Sequence, residues 1–361
     1  MISTSRREFL KTAAVAAAGL AASPALAAEP DAKHIKLGMD NFAVRAMNWK
    51  APELIDYAAK LKTDSILISD LPALGSFDET NLKKIRALAT EKGIQIHLGT
   101  WSICPTSKAF KKDWGAAEEH LALGIRCAKA LGSPVLRVVL GRGEDRATEG
   151  GIEARMADTV KVLQSQKNLA VDNGVKIAME NHAGDMQAWE VVQLIEMAGK
   201  DFVGANMDSG NATWTAEDPM RSLEILGPYA LTTSLRESAV WESENGATVQ
   251  WVAMGDGNTD LKAYFKRFAE LCPGVPVHVE TISGFNRDVP YLKPEYWKVF
   301  PKARAQDLAA FIAYAKKGKP REQWKAPAGQ DRKTADQEFQ RSEIEKSIAY
   351  LRNLGLGPQP T

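Results

Sequence analysis

The sequence predicts an α/β fold, a (β/α)8 barrel of the TIM type with an insertion after its eighth strand and a helix at its C-terminal end. Two observations carry this. Eight short β-rich runs, residues 35–39, 65–69, 94–99, 135–140, 175–179, 203–207, 230–234 and 277–281, alternate with longer segments of helical period. Those segments include residues 52–62, 81–92, 116–131, 152–173 and 261–271, and Gly93, Gly132 and Gly174 follow three of them as helix stops. Alternation of this kind implies right-handed crossovers and a parallel sheet, and eight such units in about 250 residues match a closed barrel. The rival is an open doubly wound sheet. No Gly-x-Gly-x-x-Gly turn follows an early strand, and Gly141-Arg142-Gly143 is too short to be one.

The chain has 361 residues, 46 Lys and Arg against 45 Asp and Glu, a formal net charge of +1 and 45% hydrophobic residues. That balance is ordinary for a globular protein and leaves no electrostatic footprint for nucleic acid. Charged residues at 25%, and no apolar run near the roughly 20 residues a bilayer core requires, exclude a multi-span membrane protein. Cys104, Cys127 and Cys272 are too scattered for a disulfide framework or a zinc ribbon. Any metal must be held mainly by carboxylates and histidines.

Residues 1–27 read as an address. Ser5-Arg6-Arg7-Glu8-Phe9-Leu10-Lys11 precedes an Ala-rich apolar stretch over 12–22 and the small-x-small pattern Ala25-Leu26-Ala27. This order resembles a twin-arginine export signal. Cleavage near Ala27 leaves 361 − 27 = 334 residues, 28–361, as a single barrel domain. The expectation is a periplasmic protein, exported folded by the twin-arginine machinery and not inserted in the membrane after cleavage.

In such barrels chemistry sits at the C-terminal ends of the strands. In chain order those ends carry Asp40-Asn41-Phe42, Ser69-Asp70, Thr100-Trp101-Ser102, Arg142 with Glu144-Asp145, Glu180-Asn181-His182, Asp208-Ser209-Gly210-Asn211, Ser234-Leu235-Arg236-Glu237 and His278-Val279-Glu280. Glu180, Asp208 and Glu280 point into one mouth. Their carboxylates repel unless something positive lies between them, and a divalent cation is the simplest candidate. Asp208 alone would be read as a helix cap, but three such residues together would not. His97 and His278 lie inside strands and read as packed core histidines.

These blocks resemble the xylose-isomerase-like barrel superfamily, the sugar phosphate isomerases and epimerases, over about residues 35–285. The family's Glu-Asn-His, Asp-x-x-Asn, Gly-Glu-Gly-x-x-Asp and strand-eight Glu correspond to Glu180-Asn181-His182, Asp208 with Asn211, residues 255–260 and Glu280. The block after strand seven departs: Ser234 stands where the family has a His ligand, and Arg236 where it has Lys. The resemblance implies a divalent ion on Glu180, Asp208 and Glu280, with His182 or water completing its shell. Such oxygen-rich ligands favour Mn or Mg, with Co or Zn as alternatives. It also implies that Glu180 and Glu280 move a proton beside a sugar carbonyl through an enediolate, with Asn211, Ser234 and Arg236 as substrate contacts.

Trp101, Trp214 and Trp241 follow strands three, six and seven, and their indoles suit the C–H side of a pyranose ring. With no Gly-rich phosphate loop and a periplasmic destination, an unphosphorylated sugar or glycoside is the preferred small-molecule substrate. Residues 286–333 form the insertion, read as a lid or substrate wall or as a contact in a homo-oligomer, and a last helix over 334–354 closes the barrel. Three functions compete: a metal-dependent sugar isomerase or epimerase, a carbon–oxygen lyase or hydrolase acting on oxidised (keto) glycosides, and a sugar-binding barrel without chemistry. The superfamily's endonuclease branch uses several histidines for a zinc cluster, and this chain has five in all with no basic excess.

Overall fold

The computed structural model describes residues 35–358, all within one compact unit. The expected export signal and its cleavage site lie outside the described residues. Eleven strands follow in chain order among them: β1 (Leu37–Asp40), β2 (Ser65–Ile68), β3 (Gln95–Ser102), β4 (Val135–Val139), β5 (Lys176–Glu180), β6 (Val203–Met207), β7 (Ala230–Thr233), β8 (Glu237–Ser243), β9 (Gly246–Val252), β10 (Val277–Val279) and β11 (Asn286–Val289). Eight of these make one parallel sheet in the order β10-β1-β2-β3-β4-β5-β6-β7. Leu235, just past β7, closes the ring on Val279, donating to the His278 carbonyl at 2.7 Å and accepting from the Glu280 N–H at 2.9 Å. The barrel expectation holds.

The barrel strands are short and apolar because both faces are covered, as in Ser-Ile-Leu-Ile of β2 and Val-Leu-Arg-Val-Val of β4, where every residue is buried. Arg137 interrupts the second of these. Its stem fits inside the barrel because neighbouring β3 carries Gly99, where a Cβ would lie 3.2 Å from Arg137 Cδ. The helical segment expected over 152–173 is two helices, Gly151–Ser165 and Lys167–Asn173. Gln166 leaves helical geometry at φ −107°, and the Ser165 hydroxyl turns back to the Val162 carbonyl at 2.8 Å.

The largest departure lies between Glu237 and Gly255, where β8 and β9 form an antiparallel hairpin. Ser243 pairs with Gly246 across the turn, and β11 adds a third strand beside β9. Helix Ala305–Ala315 packs on this sheet through Phe311 and Tyr314, which join Val240, Val249, Trp251 and Val289 in a second core. The wall over the mouth is therefore built from two excursions, one after β7 and one after β10. The last helix, Arg332–Asn353, returns to the first connection, where Gln340 accepts from the Ala46 N–H at 2.8 Å and Gln337 donates to the Ala46 carbonyl at 3.0 Å. Among the described residues no helix is long and apolar enough to cross a membrane.

His97 and His278 lie inside the barrel with ring centroids 4.9 Å apart, bonded to Thr232 Oγ1 at 2.9 Å and Ser65 Oγ at 3.0 Å respectively. Burial pushes His97 down to about 4, and does the same to His120 beneath Thr100. These imidazoles fold neutral, whereas the unfolded chain protonates them near pH 6.5. Their stabilising contribution is therefore complete above about pH 6.5 and is lost as pH falls through about 4, worth about 3 kcal/mol for His97. Imidazole carbon shifts of His97 and His120 are expected to stay those of neutral rings from pH 7 down to pH 5; protonation near pH 6.5 would contradict the neutral assignment.

Candidate functional site

Side-chain amides tie neighbouring strand ends together. Asn181 donates to the Asp208 carbonyl at 2.8 Å and accepts the Asp208 N–H at 2.9 Å, joining β5 to β6. Asn41 does the same between β1 and β2, accepting the Ser69 N–H at 2.7 Å and donating to Asp70 at 3.1 Å. Asp208 caps helix Ser209–Trp214, its carboxylate accepting from the N–H groups of Gly210 and Asn211 at 2.8 and 2.9 Å. It is both a cap and a member of the site.

Two buried guanidiniums lie among the mouth carboxylates. Arg137 bonds Glu180 through Nε and the Thr100 carbonyl through Nη1 at 3.0 Å. Glu180 also accepts from Asn206 at 2.7 Å and Asn211 at 3.2 Å. Arg236 reaches Asp208 Oδ2 at 3.0 Å and bonds Glu280 through the same Nη2, while its plane lies 4.1 Å from the Trp251 ring centroid. Position 210 has to be glycine, because a Cβ there would sit 2.8 Å from Arg236 Cβ and 2.9 Å from Trp251 Nε1. Beneath this layer Asp40 accepts from the Phe42 N–H at 2.8 Å, Ser69 at 2.5 Å and Ser234 at 3.3 Å. Burial pushes the carboxyls of Asp40 and Asp208 well above the usual range, with the charge of Glu280 adding to it at Asp40 and Arg236 opposing it at Asp208.

Above the layer opens a cavity of about 430 Å³. Of the expected residues, Glu280, Arg236, Asn211, His182, Trp101 and Trp214 line it. His182 is held by Nδ1 at 2.7 Å from the Gly141 carbonyl, which can only accept, so Nδ1 carries the proton and Nε2 does not. Burial, followed by the charge of Arg137, pushes this imidazole down to about 3. Trp214 stacks on Trp251 with centroids 4.1 Å apart and planes 4° from parallel.

Four expected residues lie elsewhere. Glu180 and Asp208 are fully buried behind the wall, occupied by Arg137, Asn206, Asn211 and Arg236. Ser234 is also buried, accepting from Asn206 at 3.1 Å while donating to Asp40, and does not reach the cavity as a substrate contact. Trp241 packs with Ala239 and Val252 on the face of the hairpin opposite Trp251. Strand alternation decides which indole faces the mouth. The sequence reading missed Trp251, Arg137, Asn206 and the arginines Arg45 and Arg287 of the cavity wall. Two signals were available: Asn245-Gly246 between alternating runs marks the hairpin that carries Trp251, and a charged residue inside the apolar run of β4 marks Arg137.

The expected divalent ion does not fit this arrangement. Among the described residues no group of three or more His, Cys, Asp or Glu side chains is disposed to hold a metal ion. The space between Asp208 and Glu280 is taken by Arg236, and Glu180 is engaged by Arg137. A dication 4 Å from one guanidinium would face about 8 kcal/mol of repulsion at an effective dielectric near 20.

The sequence profile of a family described as xylose isomerase-like TIM barrel matches residues 55–299. A 3-oxo-isoapionate decarboxylase from Pectobacterium atrosepticum is 19% identical over 212 residues, 58% of this chain and 70% of that protein. Among solved structures, D-psicose 3-epimerase with D-tagatose from Clostridium cellulolyticum H10 superposes with a TM-score of 0.56 at 15% identity, covering 89% of this chain and 100% of that one. A xylose isomerase-like TIM barrel protein from Mycobacterium smegmatis in complex with magnesium gives 0.54 at 14% identity, covering 79% and 99%. These likenesses confirm the fold, and the profile spans well over half of the sequence. The chain belongs to the xylose isomerase-like TIM barrel family.

Proposed function

We propose that this chain is a sugar-converting enzyme that moves a proton beside a carbonyl, with buried guanidiniums as the positive charge at the reacting oxygen. The observation that carries the reading is Glu280, which reaches the cavity wall while bonded to Arg236. A carboxylate there takes the proton from the carbon next to C=O, and negative charge builds on the carbonyl oxygen. Arg236 supplies the cation for that charge, and its buried Nε–H has no partner among the described residues. Arg137 holds Glu180 behind the wall, so Glu180 positions the cluster while Glu280 moves the proton. His182, neutral with a bare Nε2, accepts a hydrogen bond from a sugar hydroxyl. Return of the proton by Glu280 to the neighbouring carbon gives an isomer, whereas an epimer requires a second donor on the opposite face.

One observation favours elimination as the second reading. Phe42, Trp101 and Arg142 form a shared wall between the cavity and a second hollow of about 260 Å³ that reaches Trp114 and His120. Two adjoining hollows suit a glycoside, with the oxidised sugar in one and the leaving group in the other. The same enolate would then expel the glycosidic oxygen. The name of the curated relative describes loss of CO2 from an oxo compound, which also passes through an enolate when the oxo group is adjacent. The twin-arginine pattern in residues 1–27 supports a periplasmic setting for either reaction.

Free ketoses, aldoses and keto-glycosides incubated with the protein in heavy water test the proposal. One compound is expected to gain deuterium beside its carbonyl. An epimer or isomer carrying the label supports the first reading, and a released aglycone the second. Sugar binding with neither exchange nor cleavage across the panel would leave a binding barrel.

A further inference from the structure

The walls of the cavity are more basic than a neutral sugar requires. Five arginines line it against two carboxylates, Glu144 and Glu280. Arg137 and Arg236 are matched by buried carboxylates of the floor. Arg45, Arg142 and Arg287 are not: among the described residues none of the three forms an ion pair. Each comes from a different part of the chain. Arg45 lies in the short helix after β1, Arg142 follows β4, and Arg287 lies on β11.

Aromatic rings and backbone hold these side chains in place of carboxylates. The guanidinium of Arg287 lies 3.7 Å from the Trp214 ring centroid and that of Arg142 lies 5.3 Å from Trp101. Arg45 donates to the Phe42 carbonyl at 3.3 Å. A guanidinium stacked on an indole keeps its edge donors free for a ligand. Partial burial lowers the pKa of Arg287, opposed by Glu144 across the mouth, as expected for a cation drawn from water without full compensation.

We propose that the ligand of this cavity is an anionic sugar, its carboxylate or phosphate bound by Arg45, Arg142 and Arg287. The inference rests on the proposed function only in taking this cavity as the sugar site. A planar fork of N–H donors binds an oxyanion in two-point contact, and three such forks above an already matched floor leave an excess positive charge for the ligand to meet. The excess lies at the mouth. Entry of an anion is therefore favoured electrostatically, more strongly at low ionic strength.

Titration calorimetry of the full protein with D-glucose, D-glucuronate, D-gluconate and D-glucose 6-phosphate, at low and high salt, reads this without needing turnover. At least one anionic sugar is expected to bind about tenfold or more tighter than D-glucose, with the gap narrowing at high salt. Comparison of the glucuronate and gluconate arms with the phosphate arm identifies the anion. Arg142→Gln, an exposed position, and Arg287→Gln are each expected to weaken the anionic sugar about tenfold and D-glucose by a much smaller factor. Equal or tighter binding of D-glucose, unchanged anion affinity in both variants, or no charge-dependent binding by any member of the panel would overturn the proposal. Deuterium exchange on neutral sugars alone would keep the proton-transfer reading and remove this one, so the two fail separately.

Discussion

Replacing Glu280 by Gln is expected to slow deuterium exchange about 10²- to 10⁴-fold, the range contributed by a positioned acid–base group. The amide keeps the size of the side chain, and its oxygen still accepts from Arg236, which retains its contact with Asp208 at 3.0 Å. Substrate binding is therefore expected to change far less than turnover, a loss in kcat with KM nearly constant. Glu180→Gln provides the contrast. Its carboxylate is walled off from the cavity by Arg137, Asn206 and Asn211, so its loss should appear mainly in stability. Equal losses of exchange in the two variants, with both proteins folded, would show that the acid–base role is shared by both glutamates.

The second large effect is on folding. Arg137→Met is expected to destabilise the protein by about 3–5 kcal/mol, because it leaves Glu180 as a buried carboxylate with only two amide donors. The Thr100 carbonyl loses its donor as well. Most of the cost belongs to the stranded charge, so the double variant Arg137→Met with Glu180→Gln should recover a large part of it. Denaturant melts of the two single variants and the double variant read the coupling directly. Additive losses would mean that Arg137 and Glu180 do not act as a pair.

Most of the barrel was legible because each barrel strand is a short apolar run between longer amphipathic segments, a pattern that survives without any knowledge of partners. Glu280, Asn211 and His182 were legible because the strand ends, once placed, supply the residues around the mouth, although Glu180, Asp208 and Ser234 at the same ends turn into the floor. What lies between the carboxylates was not. Arg137 reads in sequence as a break in β4, and its meaning depends on Glu180, 43 residues further along the chain. The three carboxylates implied a positive charge, and the sequence alone left a metal as the simplest one; the fold brings in Arg236 and Arg137 instead. Ser234 was noticed as the absent imidazole. Its consequence becomes clear only with Asp40 and Asn206 beside it, since the hydroxyl serves the floor of the site. Trp241 and Trp251 could not be sorted without the hairpin register, which places them on opposite faces.

In the proposed function guanidinium takes the place of the metal. Elemental analysis of protein expressed in metal-replete medium, paired with melting curves in chelator and in added Mn, tests it most directly. A site that held a divalent ion at a hundredfold excess over its Kd would gain about 2.7 kcal/mol, readily seen as a rise in Tm. Well under one divalent ion per chain and the same Tm under all three conditions are expected. About one ion per chain, with Tm lowered by chelator and restored by Mn, would contradict it.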